Sequence, residues 1–394
     1  MVVQSCSPAS QPLSRSLPEA PHSETGSLRC ALQSLKKQFI DFRFHYPLEV
    51  IPGSGRPSSL SYYLYSDKLS WSALRLDDCG IPQAWYRMTG RQYWPAYIAW
   101  YGLVNLGHFV HKGDASALNI FLKQIDWLRD HAVVRNDGSV VWTMNFDYPI
   151  GDVTMKAPWV SAHAQGLCIS ALVRGWRVTG NPFLLQLLQG SSRVFKQDHR
   201  KGGIRISLSN GALYTEVPGG SAPGILDGFL TSLLALHDLF VETQDLQVRQ
   251  LFLEGIAGLK SCLPIWNYRG KWSWYGSRDY LCSPAYHCLN RLLLLILSRI
   301  AKDREIAAVA EKWDPERLGP VSRAEIYLAY NSSQMWSRIK HKTWRLRPAT
   351  NSCSMLGPFH STGTTPPPPP PAAHSPVVAG SPAEPSSAAA ATSA

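Results

Sequence analysis

Between residues 94 and 313 apolar side chains recur at helical spacing, and the helices they predict come in pairs. Residues 94–110 and 115–131 form one pair, 159–179 and 183–196 the next, then 225–242 with 246–263 and 286–302 with 304–313. Each pair is joined by a short polar break, such as Gly180-Asn181-Pro182. Helical hairpins of this size cannot bury their apolar faces singly, so they stack on one another. A stack closed into a ring is an α/α toroid whose loops line a cleft at one end; left open, it is a solenoid. Periodicity admits both. The expected class is all-α, with small β-hairpin excursions near 140–146, 204–214 and 270–275.

The excursion at 203–229 carries the most local information. Ile204, Ile206 and Leu208 alternate with polar residues, Asn210-Gly211 turns the chain, and Ala212, Leu213 and Tyr214 resume. Asn-Gly predicts a type I′ hairpin, because both residues tolerate the positive φ that turn requires. The returning strand delivers Glu216 and Pro218 into the loop Gly219-Gly220-Ser221, and a helix opens near Gly224. A carboxylate on a loop leaving a helical framework is well placed for chemistry. The plainer alternative is an ordinary surface glutamate in a solvated turn.

Composition narrows the partner. Only 17% of the 394 residues are charged, while 14 Trp and 16 Tyr suit either an aromatic core or a groove that stacks on sugar rings. A formal net charge of +11 points to an anionic partner: nucleic acid, an acidic membrane surface or an acidic polysaccharide. No nucleic-acid recognition motif accompanies the charge. Eight cysteines are scattered with no CxxC pair, so neither a zinc site nor a disulfide framework is expected, and free buried thiols are. The longest apolar stretch, 289–300, is broken by Asn290, Arg291 and Arg299, so no membrane segment is expected. Residues 1–27 lack an apolar signal core, which makes a cytoplasmic location the default expectation. The chain divides into a leader with a short basic helix (1–44), a β/loop segment (45–90), the helical domain (91–318), and a basic extension ending in a Pro/Ala/Ser-rich tail (319–394).

Several runs together resemble one family. Residues 156–174, KAPWVSAHAQGLCISALVR, resemble the Pro-Trp-x-Ser-Ala-x-Ala-Gln-Gly run that opens a core helix in the D-glucuronyl C5-epimerase C-terminal family. RQYWPAYIAWYGL at 91–103 resembles its Ile-Ala-x-Tyr-Gly-Leu helix, and residues 214–229 resemble its Tyr-x-Glu-x-Pro loop and Asn/Asp-Gly-Phe helix start. WSWYGSR at 272–278, SPAYH at 283–287 and Glu311-Lys312-Trp313 continue the likeness in order. The resemblance implies an α/α toroid that inverts C5 of glucuronate units in a heparosan-type chain, giving iduronate. It also suggests a homodimer.

That reaction removes a proton alpha to a carboxylate and returns one to the opposite face, so two acid/base groups must flank the ring. Donors or cations must also hold the C6 carboxylate, where charge accumulates. Position by position, the resemblance places Glu216 as one base, with Tyr275 and Tyr286 as candidates for the opposite-face acid. It places Arg278 on the uronate carboxylate, Asp227 near the substrate, and His287, Tyr93 and Trp94 as weaker contacts. No cofactor or metal is required. One departure bears on activity: the tyrosine that usually follows the glutamate is Val217 here, and valine carries no proton. A catalytically weakened or dead polysaccharide-binding relative, or a uronate lyase, therefore stands beside the epimerase as an alternative.

Overall fold

The computed structural model describes residues 44, 46–66, 75–86, 89–150, 153–219, 224–276 and 280–340. The leader, the helix expected at 28–42, the tail beyond 340 and Arg278 lie outside these residues. The described chain is mostly helical with small antiparallel sheets, and all four expected pairs are present. They are α1 (Pro95–Lys112) with α2 (Ala115–Asp130), α3 (Ala162–Thr179) with α4 (Pro182–Ser191), α5 (Leu226–Thr243) with α6 (Leu246–Trp266), and α7 (Pro284–Ala301) with α8 (Arg304–Lys312).

The polar breaks share one construction. Gly113-Asp114, Gly180-Asn181, Gln244-Asp245 and Lys302-Asp303 each place a left-handed residue at the end of one helix and an Asp or Asn at the start of the next. The left-handed residue lets its N–H close back on the finished helix, while the Asx carboxyl or amide oxygen accepts from the first free N–H groups of the new one. Two residues thus satisfy both termini and reverse the chain. Glycine reaches φ near +64° to +70° without strain at two of these breaks, but Gln244 and Lys302 hold φ of +54° and +53° with a Cβ present.

Helices α1, α3, α5 and α7 neighbour one another in succession, and each carries its own partner (α2, α4, α6, α8) on its other side. The α3–α5 seam is the tightest. A Cβ on Gly166 would lie 2.8 Å from Ser232 Cα, so only glycine admits this backbone approach. About two turns further on, Arg174 and Asp238 form a buried ion pair at 2.7 Å, with 0% and 1% of their side chains exposed. Its remaining hydrogen-bonding capacity is met: Tyr63 and Ser170 hydroxyls donate to the carboxylate, and the guanidinium donates to the Ser61 and Ser170 carbonyls. Tyr62 and Tyr63 stand against the guanidinium, so the pair also ties the segment before the helices into the core.

The excursions differ from expectation in detail. The run 140–146 is two strands, Val140–Val141 paired with Val133–Val134 and Thr143–Met144 paired with Trp159–Val160. The hairpin Arg205–Ser207 with Ala212–Tyr214 is present, but its turn is not type I′: Gly211 alone takes a positive φ, +98°, and Leu208 N–H donates to Gly211 O across a four-residue loop. Close packing on α6 explains the choice, since a Cβ at Gly211 would meet Glu254 O at 2.4 Å. The segment Gly270–Tyr275 is the centre of a three-stranded sheet, Asn267–Tyr268, Trp272–Tyr275 and Tyr280–Leu281.

Helical periodicity fades from the sequence near Gly319, yet Pro320–Lys340 is a helix, α9. Its buried stripe is Ile326, Tyr330, Gln334 and Ser337, two of them polar, while Val321, Leu328, Met335 and Trp336 face outward. An inverted stripe of this kind gives little hydrophobic signal. The helix seats on the three-stranded sheet, where Ile326 and Tyr330 cluster with Trp272 and Leu281, and Glu325 pairs with Arg269 and Lys271.

Two stability measurements follow from this packing. In urea unfolding, Arg174→Met costs about 3–5 kcal/mol because Asp238 is left buried and unpaired, whereas removing the exposed Arg129–Asp126 pair changes stability by no more than about 0.5 kcal/mol. In the same assay Lys302→Gly raises stability by about 0.5–1 kcal/mol, since it relieves an exposed non-glycine residue of its positive φ.

Candidate active site

The hairpin strand Ala212–Tyr214 and the start of α3 are stitched together where Ala162 N–H donates to Thr215 O at 3.0 Å. The next residue along each chain points into a common space. His163, in the first turn of α3, brings Nδ1 to 3.3 Å from Glu216 Oε2. Glu216 lies over the first turn of α5, and a Cβ at Gly228 would sit 2.2 Å from Oε2, so glycine makes the room the carboxylate occupies. Asp227, adjacent on α5, completes a group whose donor atoms lie within 4.8 Å of one another.

The electrostatics of this trio are unusual. Asp227 is 2% exposed and His163 5%; Asp227 Oδ1 and His163 Nε2 have no hydrogen-bond partner among the described residues. Burial, and after it the charge of Glu216, pushes the Asp227 carboxyl up to about 7, against the opposing pull of His163. Burial disfavours a charged imidazole at His163, but the Glu216 and Asp227 carboxylates outweigh it and hold its pKa above the ordinary histidine value. Asp227 and His163, both in reach of Glu216, are thus electrostatically linked, each shifted toward its protonated form. The same donors are the one group among the described residues spaced for a divalent cation, and an imidazole with two carboxylates suits zinc or manganese better than calcium.

Two phenols close the site. Tyr275, at the end of its strand, stacks on Tyr280 across the sheet and meets Tyr286 edge-on at 5.4 Å. Tyr286 lies in the first turn of α7, behind the Ser283 cap. Both are half-buried, and both feel the charges of Glu216 and Asp227. Burial, reinforced by neighbouring phenols and these carboxylates, raises both pKa values well above the usual tyrosine range, so the hydroxyls stay protonated. Glu216, Asp227, Tyr275 and Tyr286 are therefore brought together. His163, Asp227 and Tyr286 each sit in the first turn of a core helix, so three positive dipole ends converge on one space.

Other expected contacts lie elsewhere. His287 is not available to a substrate: it is 0% exposed, stacks on Trp272 at 3.6 Å, donates from Nε2 to Trp313 O and accepts at Nδ1 from Ser273 N–H. Burial lowers its pKa to about 3, consistent with a neutral internal strut. Tyr93 packs on Trp127 and bonds Asp77 at 2.7 Å, and neither partner belongs to the cluster. Trp94, 9% exposed, is committed to an aromatic pack with Tyr86, Tyr97, Phe146, Tyr148 and Trp159. It is linked to the site through Tyr97, whose phenol is felt by Tyr286. Val217 packs against the apolar core. The residue that sequence reasoning missed is His163. Its one signal is a titratable side chain in the otherwise apolar and small run Ala162-His163-Ala164, directly after the capping serine.

These shifts give a pH dependence. Folding raises the Asp227 pKa above its unfolded value, so its contribution is present at low pH and is lost as pH rises through about 7. The His163 shift acts in the same direction, favouring the folded state until its raised pKa is passed. Asp227→Asn, compared with the natural chain by urea unfolding, therefore gains about 2–3 kcal/mol in relative stability between about pH 5 and about pH 8. A divalent cation that keeps both carboxylates ionised abolishes that trend, which repeating the pair with added manganese measures.

Comparison with known proteins agrees with the sequence resemblance. The family described as D-glucuronyl C5-epimerase C-terminus matches residues 135–315. An uncharacterized protein of Methanocaldococcus jannaschii is 27% identical over 183 residues, covering 45% of this chain and 58% of that protein. The D-glucuronyl C5-epimerase of Caenorhabditis elegans is 27% identical over 214 residues, covering 49% of this chain and 34% of that enzyme. The chain thus spans between a third and three-fifths of the length of these relatives. Among solved structures, D-mannose isomerase aligns over 74% of this chain and 68% of its own, with 11% identity and a TM-score of 0.37, too loose a match to support any inference.

Proposed function

We propose that this chain, whose residues 135–315 match the D-glucuronyl C5-epimerase C-terminal family, inverts C5 of uronate units in an acidic, heparosan-type polysaccharide. In this reading α1, α3, α5 and α7 are the inner helices of an α/α toroid and the site is its mouth. The observation that carries the proposal is the meeting of Glu216 with two protonated phenols where three helix N-termini converge.

Glu216 removes the C5 proton. Its side chain is 15% exposed, more than its buried partners, so a sugar reaches it. Charge then spreads onto the C6 carboxylate, where the helix N-termini and an N–H of the His163 imidazole stabilise it. Arg278 remains the proposed partner of that carboxylate by resemblance. Tyr286 or Tyr275, from the other side of the ring, returns a proton to the opposite face. His163, in contact with Glu216, takes up the abstracted proton, so the base is restored for the next turnover. The packed Val217 favours a second reading, a slow or binding-only relative, because the family tyrosine that would stand there is lost.

Deuterium incorporation at C5 of heparosan, followed by NMR in deuterated water, tests this. The natural chain incorporates label, Glu216→Gln lowers the rate by about 10²–10⁴, and Gly228→Ala lowers it as well by displacing the carboxylate. Absorbance of an unsaturated uronate would instead identify a lyase. A folded chain that binds heparosan without exchange would be the binding-only relative.

A further inference from the structure

A second site adjoins the carboxylate cluster. A cavity of about 390 Å³ is lined by Trp159, Pro218 and Gly219 together with Arg135, His199 and Arg200, and no Asp or Glu is among its lining residues. Two of its walls run directly into the site already described. The strand Trp159–Val160 leads into α3 and His163, while Pro218 lies two residues beyond Glu216, which limits their Cα separation to about 7 Å.

The cationic side is built rather than incidental. Gly219 N–H donates to His199 Nδ1 at 3.0 Å, so a neutral His199 carries its proton on Nε2 and offers it as a donor. Arg135 is oriented by its bond to Gly202 O at 2.9 Å. Arg200 is exposed and has no carboxylate within ion-pairing distance among the described residues. Asp137, the acid adjoining Arg135, is already engaged by Ser139 and Gln197. Two guanidiniums and an imidazole N–H beside an indole and a proline make a site for a ring that carries an anionic substituent.

We propose that this cavity is a subsite for the acidic sugar that flanks the reacting uronate, holding its carboxylate or sulfate between Arg135, His199 and Arg200. The inference rests on the uronate reading of the neighbouring cluster and extends it: the polymer runs from Glu216 along the Pro218-Gly219 side, and its negative charge one or two rings from the chemistry is recognised. Shortening the substrate to one uronate forfeits this contact.

Binding of heparosan hexasaccharide and of its N-sulfated form to the full chain, by calorimetry, tests the proposal with Arg200→Glu and Arg200→Lys. Arg200 is exposed, so both variants fold, which thermal melting verifies. Arg200→Glu weakens binding by about tenfold or more and Arg200→Lys by about threefold or less. A larger loss with the N-sulfated ligand identifies sulfate as the group held; equal losses identify carboxylate. Unchanged affinity in Arg200→Glu, no binding by the natural chain, or preference for single-stranded RNA over both sugars overturns the subsite. C5 exchange separates the two readings. Exchange with unchanged Arg200→Glu affinity removes the subsite alone, whereas lost affinity without exchange in any variant keeps the subsite and removes the epimerase.

Discussion

The buried pair of Arg174 with Asp238 is the contact on which the rest of the arrangement depends. It fixes how α3 slides and rotates against α5, and the glycine contact at Gly166 fixes how near they come. Both helices carry candidate site residues in their first turns, His163 and Asp227. A seam held in its C-terminal half by an ion pair with satisfied hydrogen bonds cannot shear without leaving a charge unpaired in the core. His163 and Asp227 therefore meet in one register, and Glu216 is placed between them by a strand bonded to the start of α3.

This geometry concentrates negative charge where water is scarce, and it does so beside three helix N-termini. The two facts belong together. Partial positive charge from the free N–H groups makes adjacent buried carboxylates tolerable, and it also favours the anion that a uronate would add. Asp227 responds by holding its proton to about 7, and the Glu216 and Asp227 carboxylates hold the His163 pKa above the ordinary histidine value. Asp227, protonated up to about 7 beside an imidazole and a second carboxylate, gives the cluster acid and base groups side by side.

Much of the framework was legible in the chain itself. The helix pairs are visible because α2 and α8 carry a buried stripe at a period near 3.6 while α1, α3 and α5 are apolar nearly all round, and the breaks because Gly or Asx residues supply chemistry that helices need at their ends. Glu216, Tyr275 and Tyr286 were legible because they stand in ordered runs that resemble one family. The α9 helix was not, since half its buried stripe is polar and its apolar residues face outward. The type I′ turn was misjudged because Asn-Gly describes a free hairpin, and this one is pressed against α6.

What the sequence by itself determined is local: which segments are helices, where they stop, and which loop presents a carboxylate. Those outcomes depend on neighbours within a few residues. Tertiary structure decided the rest, because proximity and burial are set by elements distant along the chain. His163 and Glu216 are 53 residues apart and become partners only once α3 meets the hairpin. His287, one residue beyond a site tyrosine, turns the other way on its helix and is consumed by Trp272 and Trp313. Adjacent residues on a helix face about 100° apart, so membership of a conspicuous run could not say which of the two would reach the cluster and which the core.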